Sequence, residues 1–277
     1  MIKKIIILNL ILLSSSMCFG QAKNSIVLKE WSLESGYQNF RLFDKNASPL
    51  IYVANNGYVG FRLEKEKNNR LWNIGTSISV GNSQSKNLSK RQAVVKEHTS
   101  IMGEADSAVY LINPAISFVE TGLVYSYYWK LNAEKLKTYV GGQIKDNFLY
   151  SGLGGDTWFF NQLIIMPSCQ VLLIDKNKSK VKTELSVPIV SYLLRQPYTL
   201  DPSLPVNSYF IAYLKTGSHI SSLNDLQQVN YKLNYQYQIS KEKAIGLSYK
   251  FMWMNYANIP ERNLKAYSNS ISLSYTF

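Results

Sequence analysis

The chain has 277 residues, with 30 Lys and Arg against 18 Asp and Glu, a net charge of +12, 20 tyrosines and two cysteines. This length suits one domain, and two cysteines exclude a disulfide-rich secreted scaffold. Much of the positive charge falls in polar turn segments and not in a stripe interleaved with stacking aromatic residues, so nucleic-acid binding is not indicated.

The first twenty residues have the pattern of a secretory signal peptide. Lys3 and Lys4 form a cationic start, a compact apolar run follows, and small residues precede a cleavage expected after Gly20. The apolar run is too short for a membrane-spanning helix. We therefore expect residues 1–20 to be removed and residues 21–277 to form one domain.

The two cysteines give little opportunity for thiol chemistry. Cys18 would leave with the signal peptide, so no intramolecular disulfide and no cysteine-based metal site is expected. Cys169 is then interpreted as a small, mainly apolar residue on a strand. Lipidation at Cys18 stays open as an alternative, although Met17 is larger than the residue that usually precedes a lipidated cysteine.

After residue 20, no stretch reaches the roughly 18 consecutive apolar residues of a membrane helix, and segments with a period of two predict strands. Twelve strands are predicted, at 26–40, 50–65, 70–82, 89–102, 108–131, 137–149, 158–174, 180–194, 206–217, 226–239, 244–256 and 266–277. The segment 89–102 alternates poorly. It is included because reading 83–115 as one loop gives an odd number of strands, whereas single-chain bacterial barrels have an even number.

Turns and breaks are predicted between these strands. Polar hairpin turns are expected at 65–69, 132–135, 175–179 and 240–243. Proline cannot donate to a strand ladder, so Pro114, Pro167 and Pro188 predict bulges or bends. The proline-rich stretch 195–207 is predicted to be a loop.

Several strands alternate cleanly between apolar and polar residues. In 72–81, 228–239 and 244–253 the apolar residues share one face, and small or polar residues share the other. Leu233 alternates with Asn234, and Leu247 with Ser248. An apolar outer face and a polar lumen are typical of a transmembrane β-barrel, whose mean hydropathy is low for the same reason.

The last ten residues carry the clearest alternation. Ile271, Leu273, Tyr275 and Phe277 lie on one face, and hydroxyl residues lie on the other. This ending resembles the final strand of Gram-negative outer-membrane β-barrel proteins, whose terminal aromatic residue is read by the insertion machinery. The resemblance implies an all-β, transmembrane antiparallel β-barrel in the cell outer membrane. It also implies that outer-membrane lipids and lipopolysaccharide are partners, and that the barrel-assembly machinery binds through Phe277.

Catalytic and cofactor patterns are sparse. His98 and His219 are far apart and belong to no ligand-spaced cluster, so no metal is expected. The glycine-rich stretch 152–156 lacks the lysine of a phosphate loop and is interpreted as a turn. We expect no cofactor.

His219 and Ser221 form the only candidate catalytic pair. Two residues apart on a strand, they would project to the same side, where a histidine can act as base for a serine. The pair resembles the His-x-Ser of outer-membrane phospholipase A and related lipid hydrolases, which implies hydrolysis of lipid or lipopolysaccharide. Ser222 stands where those enzymes usually have asparagine. The competing interpretation, which we favour, is that 217–225 is an exposed polar hairpin loop and that no residue is catalytic.

Acidic and basic residues are predicted to face each other across the lumen, with Glu64, Glu120 and Glu184 opposite Arg62, Lys130 and Lys182. Such pairs could brace a narrow barrel or line a permeation path. The sequence therefore favours a non-enzymatic outer-membrane barrel, either a small channel or a structural or accessory component of an envelope complex. A lipid hydrolase is the alternative, and a soluble β-sandwich is disfavoured by the lipid-like strand faces.

Overall fold

The structure is a computed structural model that describes residues 28–45, 50–86, 91–97, 106–112, 116–131, 136–151, 158–176, 178–195, 217–240, 242–257 and 263–277. No helix in these ranges is long and apolar enough to cross a membrane. The strands are β1 (Leu28–Asp44), β2 (Ile51–Lys67), β3 (Arg70–Ser85), β4 (Arg91–Glu97), β5 (Asp106–Ile112), β6 (Ile116–Leu131), β7 (Lys137–Ser151), β8 (Trp158–Lys176), β9 (Ser179–Ser186), β10 (Val190–Arg195), β11 (Ser218–Ser222), β12 (Leu226–Gln238), β13 (Ala244–Tyr256) and β14 (Leu264–Thr276). The predicted signal peptide and Cys18 lie outside the described residues.

Ten of these strands close into an antiparallel barrel. Around the wall the order is β8, β7, β6, β3, β2, β1, β14, β13, β12 and β9, and β9 pairs back with β8. β10 pairs with β8 and with β11, so these two short strands extend the wall beyond β9 and β12. β4 and β5 form a separate two-stranded sheet. The predicted all-β antiparallel barrel is confirmed, with twelve strands in the main sheet and ten in the closed ring.

The two ends of the barrel differ in their connections. At one end β2 and β3 are joined by Asn68 and Asn69 alone, and β8 and β9 by residues 177–178. The first and last ring strands meet at this end, where Trp31 and Phe277 exchange backbone hydrogen bonds of 2.9 and 3.1 Å. The opposite end carries the longer connections. We call these the turn end and the loop end, and short turns are periplasmic in bacterial barrels.

Two of the twelve predicted segments contribute no strand to the ring of described residues. The segment 89–102 was wrong as a ring strand, because β4 within it pairs only with β5. Residues 206–216 of the segment 206–217 lie outside the described residues, and the ring of described strands closes through the β8–β9 and β9–β12 pairings. Removing both segments leaves an even number, so the parity argument could not distinguish ten strands from twelve.

The wall is interrupted between β9 and β10, where Pro188 is buried. This confirms the predicted bend at Pro188. The bulge or bend predicted at Pro167 is wrong, because β8 continues through this residue. The N–H that proline lacks would face the break between β9 and β10, where no paired strand needs it. Its carbonyl still accepts the Val187 N–H at 3.3 Å, on the same side. Pro114 lies outside the described residues.

Two local devices let the strands turn and bend. Asn68 and Asn69 have φ values of 51° and 61°, the left-handed pair that a two-residue hairpin turn needs and that asparagine tolerates. At Gly36 and Gly141, a Cβ would come within 2.1 and 1.9 Å of a carbonyl oxygen on the adjacent strand. Glycine at these positions permits the close backbone approach of a narrow, bent wall.

We call the half of the wall nearer the turn end the lower wall. Its outer face is apolar, as the alternation predicted. Leu247 is 48 % exposed while Ser248 is 1 % exposed, and Leu273 is 68 % exposed while Ser272 is 2 % exposed. Tyr, Trp and Phe side chains are frequent on this outer surface. A closed barrel with a continuous apolar outer face satisfies its backbone internally and is stable in lipid, so the chain spans the membrane with strands.

Candidate functional site

The loop end of the lumen is filled by hydrophobic side chains. We call this cluster the apolar plug: Phe40, Leu42, Tyr52, Ala54, Phe118, Leu149, Phe160, Ile164, Met166, Leu193, Leu226, Met254, Tyr256, Leu264 and Ala266. The side chains come from nine of the strands and point inward, and Ile164 and Leu264 are 0 % exposed. A layer of buried hydrophobic side chains at this level of the lumen disfavours water and ions there.

A buried ion pair crosses the mouth beside the plug. Asp44 lies at the end of β1, and Arg195 lies at the end of β10 on the far side of the ring. Arg195 Nε donates to Asp44 Oδ2 at 3.0 Å, and Nη2 donates to Oδ1. This bidentate pair ties two distant parts of the rim together and closes the lumen further.

The middle of the lumen holds an ionic layer, which we define as Glu34, Arg62, Glu64, Lys182, Lys232 and Lys250. Glu34 is its centre and is 5 % exposed. Its Oε1 accepts Lys232 Nζ at 3.3 Å, and its Oε2 accepts Lys250 Nζ. Tyr58 Oη donates to the same Oε2 at 3.1 Å. One carboxylate thus compensates two lysines from β12 and β13.

A second ion pair spans the lumen from wall to wall. Lys182 Nζ on β9 lies 2.5 Å from Glu64 Oε1 on β2, and these strands lie on opposite sides of the ring. Arg62 Nη2 lies 3.1 Å from Glu64 Oε2. These contacts bring together the predicted residues Arg62, Glu64 and Lys182, and they brace the wall.

The other predicted lumen charges are arranged differently. Glu120 accepts a hydrogen bond from Gln38 Nε2 at 2.7 Å, and Glu184 accepts one from Gln143 Nε2. Both carboxylates are therefore held by amides and not by the predicted cations. Lys130 lies near the turn end of β6, and none of the ion pairs between described residues includes it.

A polar cavity of about 200 Å³ lies between the ionic layer and the plug. Its charged lining includes Glu120, Glu184 and Lys145. Lys145 forms no ion pair or hydrogen bond with another described residue. The cavity has room for roughly six water molecules at about 30 Å³ each. It can hydrate these charges, but the plug closes it toward the loop end.

The His219 region is partly a strand. The prediction that all of 217–225 is a loop is wrong for Ser218–Ser222, because these residues pair in register with β10. His219 Nε2 lies 3.8 Å from Asp225 Oδ2. Ser221 is 1 % exposed, and its Oγ has no hydrogen-bond partner among the described residues, so His219 does not contact it as a base would. That no residue here is catalytic stays a prediction.

The remaining candidates contribute no site chemistry to the described structure. His98 and residues 152–156 lie outside the described residues. Cys169 is a free thiol on β8. Within the described ranges, no three His, Cys, Asp or Glu side chains come close enough to hold a metal ion.

The sequence analysis missed the apolar plug. On β1 the inward residues change from Gln38 to Phe40 and Leu42, while the outward residues change from Tyr37 to Arg41. The period of two persists, but its phase reverses. That reversal was the available indication, and it resembles a register slip when only the sequence is read.

No protein-family model matches the chain, and no curated protein matches it. Among solved structures, it is similar to the outer membrane protease OmpT from Escherichia coli, with 10% identity, a TM-score of 0.48, and coverage of 94% of this chain and 99% of that one. It is also similar to Neisserial surface protein A, with 8% identity, a TM-score of 0.37, and coverage of 89% of this chain and 95% of that one. A third similar structure is the attachment invasion locus protein Ail of Yersinia pestis, with 12% identity, a TM-score of 0.28, and coverage of 90% of this chain and 98% of that one.

Identities and scores this low transfer no activity to the chain. Its class follows from its own wall and lumen. The lower wall is apolar outside and polar inside, and the ring is closed. The chain is an integral outer-membrane β-barrel with ten ring strands and an apolar plug at the loop end of its lumen.

Proposed function

We propose that this protein is a non-conducting barrel that serves as a structural or accessory component of an outer-membrane complex. The apolar plug is the observation that carries the proposal. An ion that crossed this layer would exchange most of its hydration for hydrophobic side chains, and that transfer is very costly. A small channel, the other function that the sequence favoured, needs a hydrated path through this same level.

The ionic layer supports the same function. Glu34, Glu64 and their cationic partners join strands on different sides of the ring. Charges that line a permeation path stay available to passing ions, whereas these are paired with each other. Glu64 lies 3.1 Å from Arg62 and 2.5 Å from Lys182, and Glu34 lies 3.3 Å from Lys232 and also pairs with Lys250. We infer that they hold the wall in shape.

Conductance in a planar lipid bilayer tests this proposal. The wild-type barrel should give no steady current steps. A Phe118→Ala/Phe160→Ala variant removes two rings from the plug and should introduce current fluctuations. The matched control is Phe148→Ala/Leu163→Ala, which removes similar volume from the outer face and should stay silent. Folding of each variant is checked by its shifted mobility on unheated gels. A stable, ohmic wild-type current would overturn the proposal.

The hydrolase alternative has weaker support. A serine nucleophile must reach both its base and the substrate, and Ser221 Oγ is buried without a hydrogen bond from His219. The contact between His219 and Asp225 is the one feature that resembles a catalytic arrangement.

A further inference from the structure

Four asparagines form a row on the outside of the barrel, across four adjacent strands. We call Asn82, Asn55, Asn39 and Asn269 the asparagine row. Asn82 pairs in register with Asn55, Asn55 with Asn39, and Asn39 with Asn269. Their sequence neighbours Asn56, Gln38, Ser83, Ser268 and Ser270 are buried toward the lumen, so the row points outward.

The row marks the upper edge of the lipid-facing band. Between Asn269 and Phe277, the outward residues Ile271, Leu273 and Tyr275 are 41–68 % exposed and carry a large apolar surface. Eight residues of strand extend ~27 Å, which is about 20 Å along the axis at the usual tilt, close to the apolar band of such barrels. Amide side chains in hydrocarbon would be costly, so this row belongs at the headgroup level.

Tyrosine hydroxyls approach the row from the lipid side. Tyr37 Oη donates to Asn55 Oδ1 at 2.5 Å, and Tyr249 Oη donates to Asn269 Oδ1 at 2.6 Å. Asn39 Nδ2 also donates to Asn55 Oδ1 at 2.8 Å. The amide oxygens of Asn55 and Asn269 are therefore occupied, while their Nδ2 groups donate to no other described residue. A surface with free donors and occupied acceptors suits a ligand rich in oxygen acceptors.

Two cations lie just above the row, on the loop-end side. Arg41 on β1 is exposed, with its guanidinium carbon 5.9 Å from the ring centroid of Tyr267 on β14. Lys265 is also exposed and is a diagonal neighbour of Arg41, because Arg41 pairs with Tyr267. Diagonal neighbours are roughly 7–8 Å apart, which lets one phosphate contact both. No outward-facing carboxylate lies in the described loop-end halves of β14, β1, β2 and β3 to compete for them.

We propose that the asparagine row, with Arg41 and Lys265 above it, binds the phosphorylated headgroup of an outer-leaflet glycolipid. The cations contact the phosphate, and the asparagine amides donate to sugar and acyl-carbonyl oxygens. The opposite wall differs, because Asp146 stands outward on β7, hydrogen-bonded to Asn161 on β8, and its carboxylate would repel a phosphate. Glycolipid therefore binds to one side of the barrel, and the other side is left for lipids or proteins without that charge.

Binding of bis-phosphorylated lipid A by the purified barrel, measured by native mass spectrometry, tests this site. Arg41→Gln/Lys265→Gln should weaken binding about 10- to 30-fold, as expected for two cations at a charged headgroup. The matched control is Lys29→Gln/Lys65→Gln, which removes two outward cations at the turn end of β1 and β2 and should change binding less than twofold. A third variant, Asn55→Leu/Asn269→Leu, should also weaken binding, although it leaves the charge unchanged.

Three results would overturn the proposal. One is equal weakening in both double-charge variants, which would indicate a general effect of net charge. Another is equal binding of dephosphorylated lipid A, which would remove phosphate recognition. The third is displacement of the lipid by millimolar inorganic phosphate, which would indicate a site for a free anion. Shifted mobility on unheated gels shows that each variant is folded before its binding is scored.

Discussion

Replacing Glu34 by glutamine should destabilise the barrel strongly, because Glu34 is the shared counter-ion of Lys232 and Lys250. Glutamine keeps the shape and removes the charge. Two ammonium groups that contact the same carboxylate repel by roughly 2–4 kcal/mol at an effective dielectric constant of ~20. Breaking a buried ion pair from one side typically costs about 3–5 kcal/mol. We therefore expect a loss of about 3–5 kcal/mol in the free energy of unfolding.

A double variant separates lost charge compensation from lost packing. Glu34→Gln/Lys232→Met removes one cation together with the carboxylate, and it leaves Lys250 with Tyr58, whose hydroxyl lies 2.5 Å from Nζ. It should recover roughly half of the loss, since the coupling between buried charges is of that order. Glu242→Gln makes the same chemical change at an exposed turn and should stay within about 0.5 kcal/mol of wild type.

Urea unfolding in lipid vesicles, followed by tryptophan fluorescence, measures these differences. Two outcomes would refute the reasoning. A loss below about 1 kcal/mol for Glu34→Gln would mean that lumen water solvates the two lysines, as at an exposed ion pair. A double variant no more stable than the single one would mean that Glu34 acts through packing and not through charge.

Three further predictions concern depth, assembly and catalysis. Leu247→Arg should lower the free energy of unfolding by about 2–4 kcal/mol in the same titration, while Gln84→Arg, above the asparagine row, should lower it by about 0–1 kcal/mol. Equal losses would show that the apolar band is not where the asparagine row places it. Phe277→Asp should lower outer-membrane levels on fractionation without blocking export, and normal levels would remove the assumed role of the terminal aromatic. His219→Ala and Ser221→Ala should leave phospholipid and lipopolysaccharide turnover unchanged, with or without calcium; hydrolysis lost in both, by roughly 10⁴-fold, would establish the enzyme.

The sequence predicted the lower wall well because lipid imposes a strict period of two. On β14 the apolar residues Ile271 and Leu273 face outward, and Ser270 and Ser272 face the lumen, as the alternation required. The outer face of the lower wall contacts only lipid, so the polarity of a residue is enough to predict whether it faces lipid or the lumen. Lumen pairing was less predictable. Glu64 and Lys182 meet across the ring, and that contact depends on strand order, which the period does not encode.

The loop-end half of the barrel was predicted poorly for a different reason. Along β1 the inward side changes to Phe40 and Leu42, and along β14 it changes to Ala266 and Leu264. At the same level the outward side gains polar residues, namely Asn39 and Arg41 on β1 and Asn269 and Lys265 on β14. In the sequence, the apolar residues change from the outward to the inward positions of the strand, and a bulge or a register slip would produce the same pattern. Only the pairing of neighbouring strands shows that the backbone continues and that the environment changes.

This reversal of polarity at one level connects the lumen with the outer surface. Below the asparagine row the wall is polar inside and apolar outside, as in a membrane barrel. Above it the inward side holds the apolar plug, and Arg41 and Lys265 stand on the outward side. β1 and β8 have 17 and 19 residues, more than the ~9–11 needed to cross, so they can extend beyond the lipid. The apolar plug is then the core of this projecting rim. It stabilises the rim without help from lipid, and it closes the lumen for the same physical reason.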